Sequence, residues 1–136
     1  MGDGAQMNRV VIIEDEQAIS RMLVQFFRTK GYEVAAAFSG EEGLMHLREQ
    51  PAAIVVIDVV LPGIHGLEVL KQARQLQPNA RIVVVTGLEQ DDLREKAHSY
   101  GADAYVTKPF SFSNPTWVAA LGLSSDPSAP PVPPSA

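Results

Sequence analysis

Short apolar runs that alternate with helical periodicity constrain this chain more than any other sequence feature. The runs are Val10–Ile13, Tyr32–Ala36, Ile54–Ile57, Ile82–Val85 and Ala104–Val106. The third run is apolar at every position, which is typical of a strand buried on both faces of a parallel sheet. Strands that alternate with helices imply βαβ units with helices on both faces of the sheet. We therefore predict a doubly wound α/β domain with five parallel strands.

The segments between these runs carry helix signals. The first helix has an apolar stripe that consists of Ile19, Met22, Leu23, Phe26 and Phe27. Gly31 is placed to end that helix in a left-handed conformation. Ser39 and Glu42 form a capping box, which starts a second helix that reaches about residue 50. Two further helices are predicted over about residues 67–76 and 90–100, the last followed by Gly101.

The two ends of the chain differ in composition from its middle. Residues 1–8 are polar and contain glycine, and five of the ten Pro fall in the last ten residues. Such segments cannot bury enough apolar surface to offset the entropy lost on ordering. We expect a disordered lead-in over residues 1–8, one folded domain over 9–123 and a disordered tail rich in Pro, Ser and Ala over 124–136.

Composition excludes several classes of function. Lys and Arg number 11 against 16 Asp and Glu, and the net charge of −5 disfavours binding to a nucleic-acid backbone. The chain has no Cys, which removes disulfides, thiolate catalysis and Cys-ligated zinc. It also lacks an apolar run of membrane-spanning length and the pattern of a signal peptide. The composition predicts a soluble, cytoplasmic protein.

Polar residues interrupt the pattern at the carboxyl ends of four predicted strands, where open parallel sheets bind ligands. These residues are Glu14, Asp15, Asp58, Thr86, Gly87 and Lys108. Three neighbouring carboxylates repel one another unless a cation neutralises them, and oxygen ligands without His or Cys suit Mg²⁺. The Lys108 ammonium is a point charge suited to a phosphoryl group. This edge therefore has the layout of an aspartyl-phosphate site.

Four sequence pieces in order carry a resemblance to a known family. They are VVIIEDE, IVVIDVVLPGIHG, IVVVTG and GADAYVTKPF. Over roughly residues 8–112 the chain resembles the receiver domain of bacterial response regulators, the chemotaxis-regulator-like domain of two-component signalling. The resemblance implies a flavodoxin-like sheet with strand order 2-1-3-4-5.

The resemblance also implies a metal and acceptor site. Asp58 would be the phosphoacceptor, attacking the phosphohistidine of a sensor kinase. Asp15, Asp58 and the backbone carbonyl of Val60 would bind Mg²⁺ directly, and Glu14 would act through a water molecule. The exposed part of the first helix would dock the kinase, through Ala18, Arg21 and Gln25.

On the other flank, the resemblance implies a phosphoryl-binding and switching set. Lys108 would pair with the phosphoryl oxygens, and its peptide bond to Pro109 would be cis, an uncommon isomer. The Thr86 hydroxyl and the Gly87 backbone N–H would donate hydrogen bonds to the phosphoryl group. Tyr105 would act as an aromatic switch that turns inward as Thr86 moves toward the phosphate.

The segment after residue 109 departs from the family pattern. Asn114 and Pro115 can begin a helix, but Gly122 and Pro127 limit it to about two turns. We therefore predict a shortened or degenerate fifth helix that lacks a charged solvent face. Such a helix would leave apolar surface on one sheet face undercovered. In the family, the usual dimerisation and output surface is built from the fourth helix, the fifth strand and the fifth helix. A shortened fifth helix puts that surface in question, and formation of a homodimer stays open.

The predicted function is that of a stand-alone receiver, a signalling phosphoacceptor that catalyses only its own phosphorylation and dephosphorylation and is not a metabolic enzyme. Its phosphoryl donor would be a sensor histidine kinase or a histidine phosphotransfer protein. Phosphorylation would switch a contact with a downstream protein, or the phosphoryl group would be passed on in a phosphorelay. No DNA-binding domain and no membrane contact are expected.

Three alternatives remain open. An aspartate-dependent phosphatase or phosphotransferase would place a second Asp two residues after its nucleophile, where this chain has Val60. A nucleotide- or flavin-binding domain would need a Gly-rich loop after the first strand, where Glu14-Asp15-Glu16 repels phosphate. A receiver-like binding module that is never phosphorylated would be compatible with the altered C-terminal segment, but the complete acidic and Lys set disfavours it.

Two apolar residues lead to a hypothesis about the lifetime of an acyl phosphate. Val60 and Leu88 come two residues after Asp58 and Thr86, so they flank the predicted phosphoryl group. Neither side chain offers an amide or a carboxylate that could orient an attacking water. The sequence therefore predicts slow hydrolysis in the absence of a partner.

Overall fold

A computed structural model of the chain describes residues 8–60, 65–88, 90–108 and 115–122, and within them a five-stranded parallel sheet. Its strands are β1 (Arg9–Ile13), β2 (Glu33–Ala37), β3 (Ile54–Ile57), β4 (Arg81–Thr86) and β5 (Ala104–Thr107). The helices are α1 (Gln17–Thr29), α2 (Gly40–Glu49), α3 (Gly66–Leu76), α4 (Asp91–Ser99) and α5 (Pro115–Leu121). The strand order is β2-β1-β3-β4-β5. The predicted doubly wound, flavodoxin-like sheet is confirmed.

Helices cover both faces of the sheet and produce two apolar cores. Successive residues of each strand point to opposite faces, so Val10 belongs to one core and Val11 to the other. The first core lies under α1 and α5 and contains Phe27 and Trp117. The second lies under α2, α3 and α4 and contains Leu70 among its members. Burial on both faces explains why the central strands are apolar without alternation.

Local signals set the helix ends as predicted. The Ser39 Oγ accepts a hydrogen bond from the Glu42 backbone N–H at 3.2 Å. The Glu42 carboxylate accepts the return bond from the backbone N–H of Phe38, at 2.8 Å, so the capping box reaches one residue further back. Gly31 and Gly101 follow α1 and α4 with φ of 92° and 115°, in the left-handed region that favours glycine.

The fifth helix is short, as predicted, with seven residues from Pro115 to Leu121. Gly122, with a φ of 68°, follows its end. The helix nevertheless covers its sheet face, because Trp117 and Leu121 are buried against the core. The Arg81 guanidinium fixes the end of the helix by donating a hydrogen bond to the backbone carbonyl of Ala120.

Arg74 of α3 fastens the edge of the sheet formed by the amino ends of the strands. Its guanidinium donates to the backbone carbonyl of Gly101 at 2.7 Å and to that of Ala80 at 2.7 Å. The same group pairs with Asp103 at 2.8 Å. The Asp103 oxygen in that pair also accepts a hydrogen bond from the backbone N–H of Ile82, at 2.8 Å. One side chain therefore ties α3 to the beginnings of β4 and β5.

Several predictions fall outside the described residues. They concern residues 1–7 of the lead-in, the tail over 124–136, the cis bond to Pro109 and the cap at Asn114. No helix within the described ranges is long and apolar enough to cross a membrane.

Candidate functional site

The ends of β1 and β3 place two carboxylates side by side. The sheet register pairs Ile13 with Ile57, so the residues that follow them, Glu14 and Asp58, are neighbours at the carboxyl edge. Both are buried, Glu14 at 1% and Asp58 at 4% exposure. A pair of buried carboxylates this close needs a compensating cation.

The ends of β4 and β5 bring the hydroxyl and the ammonium to the same edge. Thr86 pairs with Thr107 in the sheet register and is fully buried. The backbone N–H of Lys108 donates to the Thr86 carbonyl at 2.7 Å. The Lys108 side chain is thereby directed across the sheet edge toward the carboxylates.

The Lys108 ammonium is the centre of the site. Its Nζ lies 2.9 Å from a carboxylate oxygen of each of three residues, which are Glu14, Glu16 and Asp58. The Lys108 side chain is 12% exposed, whereas that of Glu16 is 60% exposed. One ammonium therefore faces three carboxylates, and the cluster keeps an excess of negative charge.

Burial and charge pairing act on the pKa values of this cluster in opposite directions. Burial alone would lower the pKa of Lys108, but hydrogen bonds to Asp58, Glu14 and Glu16 outweigh it and hold that pKa well above the ordinary 10.5. Burial raises the pKa of Glu14 above 4.5, and the Lys108 hydrogen bond offsets part of the increase. The folded protein therefore binds a proton at Glu14 more readily than the unfolded chain. That group's contribution to stability declines as the pH rises from 4.5 through the raised pKa.

The carboxylates form a group that could hold a metal ion. One oxygen from each of Glu14, Glu16 and Asp58 lies within 4.8 Å of the others. Hard oxygen donors of this kind suit Mg²⁺ or Ca²⁺. Asp15, the predicted direct ligand, is exposed and lies outside this group, so its role stays a prediction.

Glu16 is a site residue that was not predicted from the sequence. The backbone N–H of Glu16 donates to the Glu14 side chain at 3.1 Å, and this bond turns the chain at the end of β1. The turn brings the Glu16 carboxylate to Lys108. The sequence signal was available, because Glu16 is the third acid of the run that begins at Glu14.

Both oxygens of Asp58 are engaged. Oδ1 accepts a hydrogen bond from the Val60 backbone N–H at 2.9 Å, and Oδ2 faces the Lys108 ammonium. The backbone that follows Asp58 lies close to α3, since a Cβ on Gly66 would lie 2.0 Å from the carbonyl oxygen of Val59. Only glycine fits at that approach. The Asp58 side chain is thus fixed in orientation before any ligand arrives.

The predicted switch residues, Thr86 and Tyr105, both form hydrogen bonds with the backbone of Leu88. The Thr86 hydroxyl accepts a hydrogen bond from the Leu88 backbone N–H at 3.3 Å. The Tyr105 hydroxyl donates to the Leu88 carbonyl, and its ring is 4% exposed. Tyr105 is therefore inward in this structure. Gly87 has open space beside it, since no atom of the described residues lies within 4 Å of the place that a Cβ would take, and its phosphoryl contact stays a prediction.

Comparison with known proteins identifies the class to which this fold and site belong. Residues 10–116 match the response regulator receiver domain. The chain belongs to the response regulator receiver family, as the sequence pieces predicted.

Two of the curated relatives are named as transcriptional regulatory proteins. The chain is 34% identical over 103 residues to the alkaline phosphatase synthesis transcriptional regulatory protein PhoP of Bacillus subtilis, a match over 76% of this chain and 43% of PhoP. It is 40% identical over 112 residues to the transcriptional regulatory protein AfsQ1 of Streptomyces coelicolor, a match over 76% of this chain and 45% of AfsQ1. The chain thus spans less than half the length of each of these relatives.

Solved structures of response regulators share this fold. A response regulator from Burkholderia pseudomallei, solved with a phosphorylated aspartic acid and a calcium ion, matches with a TM-score of 0.78 and 28% identity over 84% of this chain and 66% of that one. The response regulator TrrA from Thermotoga maritima, solved in complex with Mg²⁺-BeF, matches with a TM-score of 0.68 and 33% identity over 78% of this chain and 90% of that one.

Proposed function

We propose that this receiver domain accepts a phosphoryl group on Asp58. The observation that carries the proposal is the buried Asp58 carboxylate, which lies 2.9 Å from the Lys108 ammonium at the carboxyl edge of a parallel sheet. A carboxylate beside a fixed cation and a hydroxyl donor can act as a nucleophile toward phosphorus. The alternative of a binding module that is never phosphorylated gives no reason for this assembly.

The chemical step follows from the positions of these groups. A carboxylate oxygen of Asp58 attacks the phosphorus of a phosphohistidine, the phosphorus–nitrogen bond breaks, and its electron pair leaves with the imidazole. The Lys108 ammonium stabilises negative charge on the phosphoryl oxygens. The Thr86 hydroxyl and the Gly87 N–H donate further hydrogen bonds to those oxygens.

The acidic residues of the edge would hold Mg²⁺. The set consists of Asp15, Asp58 and the Val60 carbonyl as direct ligands and Glu14 through water, with Glu16 as a further carboxylate beside them. The fit rests on the hard oxygen donors and on the excess negative charge around Lys108. When bound, Mg²⁺ supplies positive charge that neutralises phosphoryl and carboxylate oxygens.

The partners follow from this chemistry. The donor would be a sensor histidine kinase or a histidine phosphotransfer protein, and the exposed α1 residues Ala18, Arg21 and Gln25 offer it a surface. The output would be a protein contact or onward transfer of the phosphoryl group. The folded receiver domain over 9–123 and its stand-alone action stay predictions, because PhoP and AfsQ1 are more than twice as long as the matched segment.

Incubation with acetyl phosphate and Mg²⁺ is expected to add one phosphoryl group to the chain, as measured by intact-mass spectrometry. Asp58→Asn removes the nucleophilic oxygen and is expected to abolish the adduct, as is chelation of the metal. Asp92→Asn is the matched control, because Asp92 is an exposed residue of α4, and it is expected to be phosphorylated normally. A chain that is folded by circular dichroism but gains no adduct would contradict the proposal and favour the binding module.

The phosphorylated chain is expected to lose its phosphoryl group slowly. Val60 and Leu88 are 52% and 39% exposed, and their backbone N–H groups contact Asp58 and Thr86, so we expect their apolar side chains to lie beside the site. Val60→Asn introduces an amide that can orient water and is expected to speed hydrolysis about tenfold, whereas Val60→Ala leaves the rate unchanged. The measurement is the decay of the adduct after removal of acetyl phosphate. Rapid loss of the phosphoryl group from the chain without a substitution would overturn this expectation.

A further inference from the structure

Arg94 of α4 holds Tyr105 through two contacts. The carbon at the centre of its guanidinium lies 4.6 Å from the centroid of the tyrosine ring, a cation–π geometry. The Arg94 Nη1 also donates to the backbone carbonyl of Tyr105 at 3.3 Å. The Tyr105 hydroxyl donates to Leu88 at the far end of the ring. The side chain is therefore fixed by α4 on its face and by the loop after β4 at its hydroxyl.

Further hydrogen bonds connect Tyr105 to the proposed phosphoryl site. Leu88 accepts from Tyr105 through its carbonyl and donates to the Thr86 hydroxyl through its N–H. Thr86 ends β4, which pairs with β3 immediately before Asp58. A continuous series of hydrogen bonds and one ring contact therefore joins the strand ends of the site to α4.

The attachment of α4 is otherwise sparse. Among its nine residues only Ala97 is buried, and Leu93 packs partly against the core. A helix with so little buried apolar surface is weakly held to the sheet. The paired contacts of Arg94 with Tyr105 therefore add to a small apolar attachment between α4 and the sheet.

From this arrangement we propose that Arg94 is a positioning residue, which stabilises the inward ring of Tyr105 in the unphosphorylated chain and couples that ring to α4. The inference rests on phosphoryl acceptance at Asp58. It adds the side chain that shifts the equilibrium of the Tyr105 ring between its inward and outward positions. A partly buried cation–π contact is strong enough to change a two-state population about two- to fivefold.

The ring position can be measured directly by fluorine NMR of protein labelled with 3-fluorotyrosine. Three Tyr are present, and Tyr105→Phe identifies the relevant resonance. Arg94→Ala is expected to move that resonance toward the shift of an exposed tyrosine. Arg94→Lys, which keeps the charge without the planar group, is expected to fall between. Lys96→Ala removes the same charge from an exposed position of α4 and is expected to leave the resonance unchanged.

A second readout connects the ring to the reaction. Arg94→Ala is expected to slow phosphorylation by acetyl phosphate about two- to fivefold, and this effect is expected to vanish when Tyr105 is already replaced by Ala. An unchanged Tyr105 resonance in folded Arg94→Ala would overturn the proposal. So would a rate effect of the same size in the Tyr105→Ala background, since Arg94 would then act independently of the ring.

The two readouts separate this inference from the proposed function. The fluorine spectrum is recorded on unphosphorylated protein and does not depend on Asp58. If the unmodified chain gains no phosphoryl group, the proposed function fails, and the spectrum still decides whether Arg94 positions the ring. If the chain is phosphorylated and the resonance does not move, only the role of Arg94 fails.

Discussion

Replacing Lys108 by Met is expected to abolish detectable phosphorylation and to lower the free energy of unfolding by about 3 kcal/mol. The ammonium lies 2.9 Å from oxygens of Glu14, Glu16 and Asp58, and two of these carboxylates are buried. Without the cation, these charges face one another unpaired. Removal of one partner from a buried pair costs about 3–5 kcal/mol, and the lower figure applies because Glu16 is exposed. Urea denaturation and intact-mass spectrometry measure the two effects.

The pH dependence of the stability loss in Lys108→Met identifies its cause. Burial raises the pKa of Glu14 and the Lys108 hydrogen bond offsets part of that rise. Without Lys108, Glu14 therefore takes up a proton more readily as the pH falls, and the stability deficit of Lys108→Met is expected to be smaller at about pH 5 than at about pH 8. An equal deficit at both pH values would contradict an electrostatic origin. Lys96→Met, at an exposed position of α4, serves as the control and is expected to change the free energy of unfolding by less than about 0.5 kcal/mol.

Replacing Trp117 by Ala is expected to lower the free energy of unfolding by about 3–5 kcal/mol. The indole is fully buried, and its ring centroid lies 5.7 Å from that of Phe26 and 6.1 Å from that of Phe27. Edge-to-face contacts of this kind add to the gain from burial. The α5 helix has seven residues, and Trp117 is the largest of the described side chains that it buries in the core, beside Ala120 and Leu121. Far-UV circular dichroism in urea measures the change.

Two variants of the same helix test that explanation. Trp117→Phe keeps an aromatic ring and is expected to lose less stability than Trp117→Ala, because the cavity left behind is smaller. Ala119→Gln changes an exposed position and is expected to have an effect below about 0.5 kcal/mol. A loss of under about 1 kcal/mol for Trp117→Ala would contradict a stabilising role for α5.

The fold was predictable because its central strands, β1, β3 and β4, are buried on both faces. The run Ile54–Ile57 matches β3 without error, since a polar or small residue bounds it on each side. The second strand was placed one residue too early, over Tyr32–Ala36 in place of Glu33–Ala37. Tyr32 is apolar enough to resemble a strand residue, but its ring packs at 5.8 Å on Phe27 before the strand begins.

Only those site residues that directly follow the predicted strands could be predicted from the sequence. Glu14, Asp58 and Lys108 meet because parallel strands present their carboxyl ends at one edge. Glu16 belongs to the same acidic run as Glu14, but the contact of its carboxylate with Lys108 depends on a backbone turn beyond β1, which the sequence does not specify. The contact of Arg94 with Tyr105 depends on how α4 packs on β5, which the spacing of residues along the chain does not determine.

The Arg74 contacts have a consequence for where this domain can change shape. They join α3, β4 and β5 at the edge of the sheet opposite Asp58. Because these contacts fasten that edge, we expect β4 to keep its position along β5 if Asp58 is phosphorylated. We expect any displacement on phosphorylation to fall mainly on α4, whose only buried residue is Ala97. The amino ends of these strands would then form the rigid part of the domain, and the carboxyl ends together with α4 would form the part that changes.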